Sequence, residues 1–299
     1  MKTEVVDTDF EKRFEKNGLI LFFLVTFLIP WVMIFGLKIA GEDLNSNLGT
    51  ILMMVAFIMP AVGMIAASVV TKSGLQEIGL MPKLKGNFKW YVLAWVLPAL
   101  LVIAGAAVFF LCQPQYYDRD LEGLKEIFAQ QKVDVKNMKA ILIMYLVKGF
   151  LADPVMNIVQ TLPGELGWRG YLLPALSRKM GNVKAVLLSS LLWGIWMIPL
   201  LAISASDVKN GFTVGSVLAM IIFSLFVGVI LSFFSIKVGS VIPAALIFSG
   251  LQNFAGFSIW FCKEGADPYI GPTVYGILGG SVLIVTAVAA LVLLWKRKV

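Results

Sequence analysis

The chain has 299 residues, 59% of them hydrophobic and only 14% charged, with 25 Lys and Arg against 18 Asp and Glu and no histidine. A soluble domain of this length needs more polar surface, so that class is excluded. The net charge of +7 is not a nucleic-acid footprint, because the cations sit in particular loops between apolar stretches.

Those stretches run to about 20 residues, the length that spans a bilayer core as a helix. Backbone polar groups in lipid must be satisfied within the segment, so the spans are helices, and the alternation of a β-barrel is absent. The reading is an all-α polytopic membrane helical bundle of about eight transmembrane helices. They fall roughly at 18–40, 48–71, 90–112, 140–162, 183–203, 213–235, 238–261 and 272–295. No linker or soluble domain interrupts them, so 1–299 reads as a single transmembrane domain.

Residues 1–17 are polar and mixed in charge, without a short apolar run and a small-residue cleavage site, so the first span is expected to stay as an anchor. Eight spans put both ends on one side. That side carries sixteen Lys and Arg, and the other carries eight, five of them in the loop 113–139 beside Asp118, Asp120, Glu122, Glu126 and Asp134. The positive-inside rule then predicts an integral cell-membrane protein with both termini cytoplasmic.

Between spans two and three, the basic loop 72–89 (Gly74, Gly79, Pro82, Gly86) can meet anionic lipid headgroups. In the loop 113–139, Leu121, Leu124, Ile127 and Phe128 recur at spacings of three and four, which predicts a short amphipathic helix on the outer surface. Cys112 and Cys262 both fall at outer ends of spans. Two isolated thiols are expected, with a disulfide as the alternative in an oxidising exterior. The C-terminal Lys296-Arg297-Lys298-Val299 is a basic stop, and neither terminus carries a lipidation motif.

Polar groups inside a bilayer are costly and default to functional candidates. Here they are Lys148, Asp153, Asn157, Gln160, Glu165, Arg169, Gln252 and Asn253. Most fall on span four and the turn after it, a span that Asp153-Pro154 and Pro163-Gly164 are expected to break. Glu165 and Arg169, four apart, share a helical face with Glu on the favourable N-terminal side. Two readings stand: an ion pair that locks the start of a helix, or a carboxylate that serves a reaction or ligand.

The stretch Gly164-Glu165-Leu166-Gly167-Trp168-Arg169-Gly170-Tyr171-Leu172-Leu173-Pro174 resembles the Glu-Glu-x-x-x-Arg motif, followed by Gly and an aromatic-Leu-x-Pro run, of the CAAX protease and bacteriocin-processing (CPBP, or Abi) family of intramembrane proteases. The second Glu and the Arg match, and Gly164 stands for the first Glu. Ser189-Ser190-Leu191-Leu192-Trp193-Gly194-Ile195-Trp196-Met197-Ile198-Pro199 is similar to the second motif, Phe-x-x-x-His, with Met197 at the His. In the third, His-x-x-x-Asn, Ser249 takes the His position and Asn253 is kept. The resemblance covers roughly 140–255.

It implies a CAAX-protease-like bundle whose site residues are Glu165, Arg169 and Asn253, with Gly164, Met197 and Ser249 as degenerate positions. In the family, the first Glu and both His activate a water, with Asn assisting. A thioether and a glycine exchange no proton near neutral pH. No metal and no cofactor are expected, since zinc takes His, Cys and carboxylate, and the two Cys lie far from Glu165. A Ser249 nucleophile would need a base such as a buried Lys148, which nothing in the sequence brings near it.

The expected function is that of a degenerate protease homologue, in a bacteriocin immunity, maturation or scaffold setting. It would bind a peptide or a membrane protein partner in a cavity lined by Gly164, Glu165, Met197, Ser249 and Asn253. The alternative is an active CAAX-type endopeptidase with Glu165 as base. A transporter with an ion path along span four ranks below both, since no inverted repeat is visible.

Overall fold

The computed structural model describes residues 17–42, 46–71, 78–130, 138–204 and 213–296. The N-terminal segment, Gly74, Asp134 and the last three residues, all used above for charge or loop assignments, lie outside them. Among the described residues there is no strand, only an isolated bridge between Tyr117 and Cys262.

Among the described residues, six helices are long and apolar enough to cross a membrane: α1 (Asn17–Ile39), α2 (Asn47–Thr71), α3 (Phe88–Cys112), the run Asn182–Ala202, α11 (Val214–Val238) and the run Ile242–Phe261. Helix α1 carries a π turn at Leu24–Leu28. The run from Asn182 comprises α9 (Asn182–Trp196) and α10 (Ile198–Ser204), which meet at Met197. The last run comprises α12 (Ile242–Phe254) and a 3₁₀ turn at Phe257–Phe261. Helix ends agree with the expected spans to within a few residues. With these helices, the chain is an integral membrane protein.

Two expected spans are shorter than read. Span four is α5 (Met138–Leu151), a single turn α6 (Asp153–Met156) and α7 (Ile158–Glu165). The interruption lies where Pro154 lacks an N–H and disfavours helix for the residue before it. Pro163-Gly164 does not break the helix. It leads directly into a π-helical stretch, Leu166–Leu172, and then α8 (Leu173–Met180). Span eight is helical only as α13 (Ser281–Lys296). Before it, Gly265, Pro268, Gly271, Pro272, Gly276, Gly279 and Gly280 keep the chain in turns.

The amphipathic helix expected in the loop 113–139 is present as α4 (Glu122–Gln130). Leu124 and Phe128 are buried, and α4 packs against the 3₁₀ turn at 257–261. The start of α4 is fixed by buried Asp118, whose carboxylate accepts from the N–H groups of Asp120 and Gly123. The side chain of Ile127 lies outside the described residues. On the same loop, the exposed Lys125 pairs with Glu122, a bond that raises its pKa.

Both thiols are free, Cys112 exposed and Cys262 half-buried. Burial and then the nearby Asp118 charge push the Cys262 thiol up, which keeps it protonated and unreactive.

The core is aromatic around the π stretch. Trp168 lies edge-on to Phe22, Phe27 and Trp196. Trp196 donates its indole N–H to the Thr26 carbonyl at 2.7 Å, within the π turn of α1. Such ring pairs contribute roughly 0.5–1.5 kcal/mol each beyond their buried area.

Candidate functional site

The first motif runs across the junction of α7 and the π stretch. A π turn widens the helix by one residue and is found often at functional positions. Here small residues let neighbours close on it. A Cβ on Gly167 would lie 2.5 Å from both Cβ and the carbonyl oxygen of Pro60 in α2. One on Gly170 would lie 2.7 Å from the Ile78 side chain. The spacing of the sequence gives no sign of the π geometry.

Across that junction, Arg169 Nη1 donates to Glu165 Oε1 at 3.0 Å, with both side chains at most 2% exposed. The guanidinium sits 4.9 Å over the Trp193 ring, and a desolvated cation there adds about 2 kcal/mol. On its far side is α11, where a Cβ on Gly228 would come within 3.0 Å of Arg169 Nη2 and closer still to Ser190. Gly228 therefore makes the room in which the guanidinium lies. Glu165 Oε2 and Arg169 Nε and Nη2 have no hydrogen-bond partner.

A cleft beside Glu165 is lined by Gly164, Gln160, Thr161 and the rings of Phe57, Trp168, Trp193, Trp196 and Phe248, with Pro60 completing it. Its volume of about 10 Å³ suits roughly one water. Gly164 sits inside α7 with nothing nearer a built Cβ than Trp168 at 4.0 Å.

The third motif faces elsewhere. Ser249, fully buried on α12, donates to the Asp153 carbonyl at 3.3 Å. One turn on, Asn253 Oδ1 accepts from Asn157 Nδ2 at 2.7 Å. Both hold α12 against the α6 turn. Met197 closes α9 and packs half-buried against the core. These three do not line the cleft beside Glu165, so the expected five-residue cavity is not formed.

Lys148 was expected to be buried. Its side chain is instead 58% exposed and pairs with Asp153 at 2.9 Å. Gln160 and Gln252 are exposed on the bundle surface. Thr161, absent from the polar candidates, is buried and donates to the Ala245 carbonyl at 3.0 Å. A hydroxyl that can bond a facing helix was the available signal. Among the described residues, no three Cys, Asp or Glu side chains converge as metal ligands.

The arrangement holds one buried carboxylate, already bonded to an arginine, and carries no imidazole. No curated protein matches the chain. Residues 139–254 match the family model described as type II CAAX prenyl endopeptidase Rce1-like. That stretch contains all three motifs in order, and over it the chain is similar to that family.

Proposed function

We propose that the chain is a catalytically degenerate member of this family that acts by binding a peptide or a partner protein, in an immunity, maturation or scaffold role. The closed surround of Glu165 carries the reading. Room for about 10 Å³ behind Trp168, Trp193, Trp196 and Phe248 admits a water but no peptide bond. The groups at the degenerate positions, Gly164, Met197 and Ser249, supply no base. Binding would use the surface of the bundle rather than this interior. The test is saturable binding of a prenylated CAAX or bacteriocin-type peptide to the purified protein, with peptide mass followed by mass spectrometry. Binding with unchanged mass is expected. The absence of saturable binding by either peptide, or a shortened peptide, contradicts the reading.

One observation favours the second reading, a Glu165-only endopeptidase. Glu165 Oε2 has no partner and the residue lines a space for a single water. On that reading Glu165→Gln abolishes cleavage.

The orientation is part of the same proposal: both termini cytoplasmic and α4 outside. With Cys112 and Cys262 replaced by Ser, Lys125→Cys should react with an impermeant maleimide in intact cells and Lys85→Cys should not. Labelling of Lys85→Cys alone inverts the orientation.

A further inference from the structure

The site beside Glu165 leaves the ion pair of Lys148 and Asp153 without a role. Lys148 Nζ lies 2.9 Å from Asp153 Oδ1, yet the lysine side chain faces outwards from the bundle. Its depth makes that costly. Helix α5 begins at Met138, and Lys148 follows ten residues later. At a rise of about 1.5 Å per residue it stands about 15 Å along the helix. That is half of a hydrocarbon core of about 30 Å. Ionisable side chains at the middle of a bilayer are costly against lipid and face protein or water instead.

The pair is fixed where it stands. Trp95 of α3 donates its indole N–H to the Phe150 carbonyl at 2.7 Å, and Ser249 of α12 donates to the Asp153 carbonyl. The backbone on either side is therefore tied to the bundle, and Lys148 stays on the outer face. Met144, Lys148 and Leu151 recur at spacings of four and three, so they share one face of α5. Met144 and Leu151 are exposed, as is Val155 in α6. An exposed apolar stripe thus carries one charge pair near its centre.

An ammonium has three N–H donors, and Asp153 takes one of them. A second acceptor must sit at the same depth on a neighbouring helix. A second copy of the chain meets that condition without coincidence. Two copies inserted the same way about a twofold axis along the membrane normal hold identical groups at identical depths. Lys148 Nζ and Asp153 Oδ1 touch within one chain, so they are also level with their counterparts in the other.

We propose that two copies of this chain pair side by side in the bilayer through the α5 stripe, Lys148 and Asp153 of one copy against Asp153 and Lys148 of the other. The four charges alternate in sign around a closed ring, and the contact is isologous. Polar side chains that bond across helices hold interfaces in membranes, where apolar area gives no drive against lipid. The proposal stands whether or not the chain cleaves peptides.

Energy transfer between chains in phosphatidylcholine vesicles tests it. Cys262 is replaced by Ser, and donor or acceptor is placed on the exposed Cys112. Transfer above the level of randomly placed chains is expected at low protein density. Lys148→Leu combined with Asp153→Leu leaves no unpaired charge, so this chain should fold, and its pairing should weaken about tenfold or more. Charge exchange then separates a bond between copies from one within a copy. Lys148→Asp alone and Asp153→Lys alone should each lose transfer, and an equal mixture of the two should regain it. If either charge variant fails to fold, the double-leucine comparison decides alone. Transfer at the random level in the parent overturns the proposal and leaves a helix of another membrane protein as the occupant. Transfer unaltered in the double-leucine chain, or no recovery in a mixture of folded charge variants, also overturns it.

Discussion

Arg169→Ala is expected to destabilise the bundle by about 3–5 kcal/mol, because it leaves Glu165 as an uncompensated charge in a closed interior. The pair is bonded at 3.0 Å with neither side chain more than 2% exposed, and the substitution also removes the cation over Trp193. Glu165→Gln should cost less, since its amide oxygen still accepts from Nη1. Replacing both partners together by apolar residues of similar volume should cost less than Arg169→Ala alone, as no buried charge then remains. Thermal unfolding and folded yield in detergent report all three. An Arg169→Ala protein as stable as the parent would mean that the pair is not structural, and would strengthen the reading of Glu165 as a working carboxylate.

Gly167→Ala should cost about 1–3 kcal/mol or more through overpacking. The added methyl would lie 2.5 Å from the Pro60 side chain and 2.5 Å from its carbonyl oxygen, 2.6 Å from its carbonyl carbon. Backbone atoms cannot swing aside as a flexible side-chain end can. Helix α2 must therefore move away from the π stretch, and Trp168, the next residue, moves with the rearrangement. Gly164→Ala is the contrast. Its methyl meets only Trp168 Cδ1 at 4.0 Å, on a helical backbone where Gly to Ala stabilises by roughly 0.4–1 kcal/mol. Opposite signs at two glycines three residues apart test the packing directly. A Gly167→Ala protein that matches Gly164→Ala in Tm would contradict the close approach of α2.

The bundle was legible because apolar length is a strong signal. Among the described residues, six long helices stand where the apolar stretches lie. Local chemistry fixed the rest less well. Pro154 breaks span four, yet α7 continues through Pro163 into the π stretch. Apolar residues also run through 262–280, where glycines and prolines keep the backbone in turns, so span eight read long. The Glu165–Arg169 pair was visible as a four-residue spacing. The aromatic closure around it was not, because Phe57, Trp193, Trp196 and Phe248 come from α2, α9 and α12. Nor does the spacing of Ser249 and Asn253 tell that they hold α12 to the Asp153–Asn157 turn. Such contacts depend on how helices are rotated against one another, which a single helix does not encode.

On the proposed function, the scaffold of an intramembrane protease is kept here without its chemistry. The most direct measurement is hydrolysis of a prenylated CAAX peptide by the unmodified protein in proteoliposomes, run beside Glu165→Gln. No product above the protein-free background is expected from either. Product formed by the unmodified protein and lost in Glu165→Gln would contradict the account and establish Glu165 as the base of an active endopeptidase.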